Sequence, residues 1–414
     1  EVLDKNYTRI HELIKNGKVL AAQSIRLGGV AEAISKMSFG NMIGFAAKGN
    51  IPVNKLFAPE YGSVILEIAK NEDLDKLFEG IDYELLGSTQ AKAAIDVNGV
   101  SMSIENLIEK WEEPLEKIFP TRVEAAYGKP KQYGYEIRNT ARPKVSYAKP
   151  RIFIPVFPGT NCEYDTAKAF ERAGGKPEVF VIKNLSSAEI DKSINLMAKM
   201  IDNSQIIMIP GGFSGGDEPD GSGKFIATAF RNPKVKDAVM RLLKERDGLI
   251  LGICNGFQAL IKLGLVPYGE IRDLTDESPT LTFNTIGRHV LCMVNTRVSS
   301  VLSPWFNNLK VGDIHSIAVS HGEGRFVASE EVLKTLEKNG QIATQYVDLD
   351  GNASYDIRFN PNGSLEAIEG ITSPDGRVLG KMGHSERIGS NVVKNVPGEK
   401  DQKLFEAGVN YFKA

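Results

Sequence analysis

The sequence predicts an α/β protein: a doubly wound, mostly parallel sheet preceded by a smaller α+β domain. Short apolar runs typical of buried parallel strands recur after residue 150, at RIFIPVF, PEVFVI, QIIMIP and GLILGI. Helical patterns separate these runs, and repeated β-α units predict a parallel sheet covered by helices. A polar stretch with two prolines, residues 138–151, divides this region from an upstream part of different character.

The upstream part mixes helices and strands without a repeated unit. Apolar residues at helical spacing predict helices in NYTRIHELIKNGK, GGVAEAISKMSF and ENLIEKWEEPLEKIF, the last one bent at Pro114. NMIGFAA and SVILEIA are typical of strands, and Asn98-Gly99 within AAIDVNGVSMSI predicts a hairpin. We therefore expect a domain at 1–125, a linker at 126–150 and a second domain at 151–414.

The downstream helices are predicted between the apolar runs, in YDTAKAFERAGG, SAEIDKSINLMAKM and KFIATAFRNPKVKDAVMRLLKER. In doubly wound folds, ligands bind beyond the C-terminal ends of the parallel strands. Cys254 directly follows the strand GLILGI, so it lies at such an end.

Composition and charge exclude several classes of function. The 414 residues are 42% hydrophobic and 25% charged, as in ordinary globular proteins, and the net charge is −2. This charge gives no reason to expect nucleic acid or a membrane surface as a partner, and no apolar run reaches the ~20 residues of a membrane helix. Cys162, Cys254 and Cys292 lack metal-type spacing, so we expect no metal site and a cytoplasmic location.

The segment Gly252-Ile253-Cys254-Asn255-Gly256 has the form of a nucleophile elbow, with cysteine in place of serine. Small residues two positions from the nucleophile let the chain pass close to itself at a sharp turn. The N-terminus of the following helix favours the thiolate form of the cysteine. A buried structural cysteine beside a glycine turn would share the motif, but its place in the β-α series favours a nucleophile.

A nucleophilic cysteine needs a base, and the base needs an orienting group. Two of the five histidines have a glutamate two residues later: His321 with Glu323, and His384 with Glu386. Positions i and i+2 of an extended chain face the same side, so either glutamate could orient its histidine. Both pairs follow strand-like runs, and the spacing alone does not choose between them.

The glycine-rich turn IPGGFSGGD follows a predicted strand and supplies a candidate oxyanion hole. Gly211 and Gly212 let the backbone approach a ligand closely. The backbone amide of Asn255, directly after the nucleophile, would be the second donor. Because a glycine turn alone is more often only a turn, the hypothesis depends on the neighbouring nucleophile.

Six separated motifs together resemble a known family. In chain order they are PGTNCEYDTAKAFERAGG, IPGGFSGGD, GICNGFQAL, IAVSHGEGRF, NPNGS and GITSPDGRVLGKMGHSER. They resemble the class I glutamine amidotransferase domain of phosphoribosylformylglycinamidine synthases, over about 151–390. Upstream, LGGVAEAISKMSFG, LFAPEYGSVILEI and LGSTQAKAAIDVNG resemble the last part of the synthase region, a domain of the aminoimidazole-ribonucleotide-synthetase C-terminal type. With an opening that lacks Met, the resemblance implies the C-terminal third of a large single-chain synthase.

The resemblance implies a role for each candidate residue. Cys254 would be the nucleophile, His384 the general base and Glu386 the acid that orients it. The substrate-binding positions of the family fall on Gly211, Gly212, Phe213, Asn255, Gln258, His321 and Gly322. Cys162 and Cys292 match no catalytic position, so we expect structural roles for both.

One departure from the family pattern concerns the base. The family usually has proline on both sides of it, whereas this sequence has Gly383 and Ser385. The spacing of the three catalytic positions is unchanged, but we expect a less rigid loop.

The resemblance also implies a reaction and its partners. L-glutamine would be hydrolysed through a Cys254 thioester, and the ammonia would convert formylglycinamide ribonucleotide to formylglycinamidine ribonucleotide in purine biosynthesis. ATP and Mg²⁺ would serve the complete synthase and bind mainly in an N-terminal region outside these residues. The amidotransferase domain itself would need no cofactor.

Other functions stay open on the sequence. Another class I amidotransferase, for GMP or CTP synthesis, would share Cys254, His384 and Glu386 but not the upstream domain or SHGEGR. A cysteine-elbow stress or chaperone protein would share the sheet but not PGGFSGGD or a C-terminal histidine–x–glutamate. A non-catalytic regulatory domain would keep the fold without needing the three catalytic positions, all of which are present.

Overall fold

The computed structural model describes residues 2–123, 128–213 and 222–413. The chain divides into two compact units, 1–121 and 122–414. Within the described ranges, no helix is long and apolar enough to cross a membrane. The second half of the glycine-rich turn predicted above, from residue 214 onward, lies outside the described residues.

The first unit contains the helices α1 Val2–Lys15, α2 Gly29–Phe39, α3 Val53–Leu56, α4 Leu74–Leu77 and α5 Ile104–Glu116. Its strands are β1 Val19–Ser24, β2 Gly44–Ala47, β3 Val64–Ile68, β4 Gly87–Gln90, β5 Ala94–Val97 and β6 Val100–Ser103. The predicted helices and strands are confirmed. Strands β1 and β4 were not predicted, because neither has a long apolar run.

Two sheets organise this unit. β1 pairs antiparallel with β3, and a four-stranded sheet has the order β4-β2-β5-β6. The predicted hairpin joins β5 to β6, with positive φ at Asn98 (54°) and Gly99 (76°). Helix α2 buries Val30 and Ile34 in the same core as Ile95 of β5.

The second unit contains the helices α6 Glu163–Arg172, α7 Ser187–Asp202, α8 Lys224–Arg231, α9 Pro233–Lys244, α10 Asn255–Leu263, α11 Leu265–Tyr268, α12 Glu330–Lys338 and α13 Leu404–Tyr411. Its strands are β7 Arg151–Val156, β8 Lys176–Val181, β9 Ile206–Ile209, β10 Leu249–Ile253, β11 Thr280–Phe283, β12 Val290–Val298, β13 Ile314–His321, β14 Glu323–Val327, β15 Ile342–Val347, β16 Ile368–Thr372 and β17 Val378–Lys381.

One large sheet forms the centre of this unit, with the strand order β13-β12-β15-β16-β17-β10-β9-β7-β8. The strands from β17 to β8 are parallel to one another, while those from β16 to β13 pair antiparallel. Strands β9 and β10 are fully buried, as their continuous apolar runs predict. The predicted α/β fold is confirmed, and the antiparallel half extends it.

The stretch predicted as one helix after residue 223 is two helices. Asn232 caps the second one, because its side chain accepts a hydrogen bond from the Lys234 backbone N–H at 3.1 Å. Pro233 occupies the first helical position, where its missing N–H costs nothing, and its ring prevents a continuous helix.

Residues 128–150, predicted as a linker, belong to the second unit. The backbone N–H of Tyr135 donates to Ser299 O at 2.9 Å, and that of Tyr147 donates to Phe412 O at 2.8 Å. This segment therefore has hydrogen-bond partners in later parts of its own unit.

Candidate active site

Cys254 lies on a sharp corner between β10 and α10, as the elbow motif predicts. Its backbone has φ 53° and ψ −107°, a strained conformation for a residue with a side chain. A Cβ on Gly252 would lie 2.5 Å from Leu260 Cδ1, and one on Gly256 would lie 2.0 Å from Ile209 O. Both flanking glycines are therefore required by the close approach of the chain.

His384 and Glu386 meet in a buried pair close to this corner. His384 Nδ1 lies 2.5 Å from Glu386 Oε1, and neither side chain is more than 2% exposed. Burial opposes the charged imidazole, but the Glu386 carboxylate and hydrogen bonds with the thiols of Cys162 and Cys254 outweigh it. The pKa of His384 is therefore raised well above its ordinary value.

Cys254 is 4% exposed, and its thiol donates to Ser320 O at 3.6 Å. A Cβ built on Gly211 would lie 2.7 Å from His384 Cε1 and 3.4 Å from Cys254 Cβ, so nucleophile and imidazole flank the same glycine. The structure thus brings the three candidate catalytic residues together.

The alternative pair does not form. His321 Nδ1 lies 3.3 Å from Asn284 Oδ1, while Glu323 Oε2 accepts from the Ser222 N–H at 2.9 Å. Burial, and the nearby imidazoles of His384 and His289, lower the pKa of His321 to about 3. A histidine with so low a pKa is a poor proton acceptor near neutral pH. The lowered pKa of His321 and its separation from Glu323 therefore both favour His384 as the base.

The candidate oxyanion turn packs against the loop after β7. Gly212 has φ 144°, and a Cβ there would lie 2.5 Å from Gly159 O, so only glycine fits. The Phe213 N–H donates to Gly159 O at 2.8 Å, and the Phe213 ring lies 5.7 Å from the His289 ring. Gly211 lies beside His384 and Cys254, and Gly212 lies against Gly159 and Thr160 of the loop after β7.

The predicted glutamine-binding residues lie at the start of α10 and the end of β13. The Gln258 side chain is buried, accepts from Asn255 Nδ2 at 3.0 Å and donates to Glu323 O. The Gly322 carbonyl accepts from the Asn284 N–H at 2.9 Å. Both polar atoms of the Gln258 amide therefore already have protein partners. In this conformation we infer that Gln258 stabilises the turn that carries Cys254.

Cys162 lies in the same site, a proximity that the motifs did not reveal. Its Sγ is 3.9 Å from His384 Nδ1, and Arg387 Nη2 donates to it at 3.2 Å. The sequence did contain a signal for this proximity. Cys162, Gly211 and Cys254 lie in the loops after β7, β9 and β10, which are neighbouring parallel strands. Loops at the same ends of neighbouring parallel strands meet at one edge of a sheet.

A metal is a poor fit for this cluster. Cys162, His384 and Glu386 each offer one ligand atom, all within 4.8 Å of one another. The 2.5 Å between His384 Nδ1 and Glu386 Oε1 is shorter than the about 3.3 Å that separates two ligands of a tetrahedral zinc ion. Arg387 also places a positive charge against the Cys162 sulfur. The arrangement is that of a hydrogen-bonded histidine.

The loop that carries His384 is well anchored, contrary to the expectation from its missing prolines. The His384 N–H donates to Ala318 O at 2.8 Å, and Ser385 Oγ donates to Gln402 Oε1 at 2.5 Å. A Cβ on Gly383 would lie 2.1 Å from Ile317 Cδ1. Packing and hydrogen bonds therefore supply the constraint that proline rings would otherwise supply.

Comparison with known proteins places this site in a family. The CobB/CobQ-like glutamine amidotransferase domain matches residues 149–412. The phosphoribosylformylglycinamidine synthase subunit PurQ of Treponema denticola is 36% identical over 286 residues, covering 64% of this chain and 99% of the relative. The subunit of that name from Methanococcus maripaludis strain C7 is 36% identical over 242 residues, 58% of this chain and 82% of the relative. A PurLQS structure from Thermotoga maritima is 29% identical, covers 64% of this chain and 100% of its own, and has a TM-score of 0.46. The chain therefore belongs to the family of CobB/CobQ-like glutamine amidotransferase domains.

Proposed function

We propose that this chain carries the glutaminase half of a phosphoribosylformylglycinamidine synthase. Family membership makes it a glutamine amidotransferase, and the relatives from Treponema denticola and Methanococcus maripaludis are named as subunits of that synthase. One observation carries the assignment of the site: His384 bonds Glu386 at 2.5 Å and flanks the same glycine, Gly211, as Cys254 on its strained turn.

The first half of the reaction forms a thioester. The raised pKa of His384 means that its imidazole takes up a proton readily, and the cycle starts from the ion pair in which the Cys254 proton has passed to it. The thiolate adds to the carbonyl carbon of the glutamine side chain, and the resulting oxyanion faces the backbone amides at Gly212 and Asn255. His384 then gives its proton to the departing nitrogen, so that ammonia leaves and a γ-glutamyl thioester remains.

The second half releases glutamate. The now neutral His384 takes a proton from water, which attacks the thioester carbonyl. Collapse of the tetrahedral intermediate expels the Cys254 thiolate and leaves glutamate and a protonated His384, the starting state. Throughout the cycle Glu386 holds the imidazole in one orientation and stabilises its charged form.

We extend the proposal to the synthase half. ATP, with Mg²⁺, would phosphorylate the formamide oxygen of formylglycinamide ribonucleotide, and ammonia would displace phosphate to form the amidine. These groups would bind mainly outside residues 1–414. The first unit, whose motifs resemble the end of a synthase region, supports a large single-chain enzyme in which both halves share one polypeptide.

The glutaminase assignment is tested by covalent labelling. A diazo-ketone analogue of glutamine should modify Cys254, because the strained turn presents its sulfur beside His384. Peptide mass mapping measures the site of modification, and Cys254→Ser is the control that should remain unmodified. Modification of Cys162 or Cys292 with Cys254 untouched would overturn the assignment.

The synthase assignment is tested by adding back the missing half. The chain alone should hydrolyse glutamine slowly and make no amidine from ATP and formylglycinamide ribonucleotide. A synthase region supplied in trans should raise glutamate release and start ADP release and amidine formation. Amidine formation by the 414-residue chain alone would show that the ATP site has been misplaced.

A further inference from the structure

A buried ion pair lies beneath the loop that carries His384. Lys381 ends β17 and Glu369 lies on the neighbouring strand β16; Lys381 Nζ is 3.2 Å from Glu369 Oε1, and both side chains are 0% exposed. Desolvating two charges costs free energy, so that an apolar pair of similar volume is often equally stable or more so. Stability alone is therefore a weak reason for this pair.

The pair holds both backbone polar groups of Gly383, the residue before the base. The Gly383 N–H donates to Glu369 Oε1 at 2.6 Å, and Lys381 Nζ donates to the Gly383 carbonyl at 2.8 Å. The Thr344 hydroxyl donates to the second oxygen of Glu369. Because Gly383 has no side chain to limit its backbone angles, these two hydrogen bonds orient the peptide planes that lead into His384.

Lys381 also contacts the nucleophile. Its carbonyl accepts a hydrogen bond from the Cys254 N–H at 2.8 Å, and it lies opposite Ile253 where β17 pairs with β10. The main chain of Lys381 thus holds the strained turn, while its side chain holds the base loop. A single residue links the two groups whose separation controls proton transfer.

We propose that Lys381 and Glu369 are positioning residues for glutamine hydrolysis, which set the placement of His384 relative to Cys254. The inference rests on the proposed function above. Neither residue touches the reacting atoms; both act through Gly383 and the backbone of Cys254. Since a misplacement of about 1 Å at a reacting group can cost about 100-fold in rate, loss of this pair should reduce turnover more than glutamine binding.

The test uses a double variant, Lys381→Met/Glu369→Met, in the full 414-residue chain. It removes both charges together, so it leaves no unpaired buried charge and is expected to fold. We expect kcat for glutamine hydrolysis to fall about 100-fold while KM stays within about threefold. Labelling by the diazo-ketone should still reach one equivalent per chain, at a lower rate, whereas general damage would lower the labelled fraction.

Two further variants keep the test decisive. Lys381→Met/Glu369→Gln likewise leaves no unpaired buried charge, and it retains an acceptor for the Gly383 N–H while losing the hydrogen bond to the Gly383 carbonyl. It should lower kcat about 10-fold even if the first double variant does not fold. Arg377→Met is the control variant, and it removes the 2.8 Å ion pair between Arg377 and Asp375. This pair lies just before β17, at the opposite end of the strand from the loop that carries His384, so the variant should leave kcat unchanged.

The possible failures are distinguishable. A folded double variant with kcat within about threefold of the parent, or an equal loss of kcat in Arg377→Met, would overturn the positioning role. If the unaltered chain neither hydrolyses glutamine nor reacts with the diazo-ketone, the proposed glutaminase function itself fails.

Discussion

The two histidine–x–glutamate stretches look alike in the sequence and differ in the folded chain. In one, His384 and Glu386 form a hydrogen bond of 2.5 Å inside a turn after β17. In the other, β13 ends at His321 and β14 begins at Glu323, and these strands belong to different sheets. The chain changes direction at Gly322, so the two side chains part and find other partners.

The two histidines have the same sequence spacing to a glutamate, so a carboxylate that contacts the imidazole, and not that spacing, decides which histidine can act as a base. Burial lowers the pKa of His384, but the charge of Glu386 and the hydrogen bonds with Cys162, Cys254 and Glu386 together outweigh it and raise the pKa, whereas burial without a carboxylate partner lowers the pKa of His321 to about 3. Residues i and i+2 of an extended chain face the same side, but this does not explain why one pair forms and the other does not. The pair that forms, His384 with Glu386, lies in a turn.

The largest expected difference between the two histidines follows from removing each imidazole in turn. His384→Ala should lower kcat for glutamine hydrolysis by roughly 10⁴-fold or more, because the thiolate loses both its counter-ion and the proton donor for ammonia. Steady-state glutamate release measures the effect.

His321→Ala is the matched control for that experiment. It should raise the KM for glutamine about 10-fold and leave kcat largely unchanged, since it removes binding contacts more than transition-state stabilisation. If the two phenotypes were exchanged, the base would be His321.

A second comparison replaces each carboxylate with its amide. Glu386→Gln should lower kcat on the order of 10²- to 10³-fold, because a neutral amide no longer stabilises the charged imidazole of His384. Glu323→Gln should change kcat less than about threefold, since its carboxylate bonds the Ser222 N–H rather than a histidine. Equal losses in the two variants would contradict the assignment of Glu386.

The smallest expected effect is on how the free energy of unfolding depends on pH, and the sign of this dependence differs between His321 and His384. Between about pH 3 and the ordinary pKa of about 6.5, an unfolded chain binds a proton that folded His321 does not, so stability falls as pH drops. For His384 the folded pKa is raised, so its contribution is complete below about 6.5 and is lost as pH rises through the raised value.

Urea unfolding at pH 4 and pH 7 measures the first of these effects. His321→Asn, which keeps a donor near Asn284, should reduce the loss of unfolding free energy at pH 4 by about 3 kcal/mol. His384→Asn should not reduce that loss. An unchanged acid dependence in His321→Asn would show that this histidine is protonated in the folded chain.

Much of the fold and part of the site could be predicted from local patterns. The continuous apolar runs at β9 and β10 predicted buried parallel strands, and the glycines around Cys254 predicted the corner. The antiparallel pairing of β12, β13 and β15 was not predicted, although the run before His321 predicted a strand, since which strands pair depends on contacts distant in the sequence.

Local sequence was enough to predict where the chain turns sharply, at Gly252, Gly256 and Gly212, and the structure shows that a Cβ would not fit at these positions. It also determined that Cys254 follows a buried strand and precedes a helix. Only the tertiary structure decided that Glu386 meets its histidine, that Cys162 joins the site, and that Lys381 and Glu369 hold the base loop. The physical reason is that a turn or a strand depends on adjacent residues, whereas the groups that meet at the edge of a sheet depend on strand order and on where each strand ends.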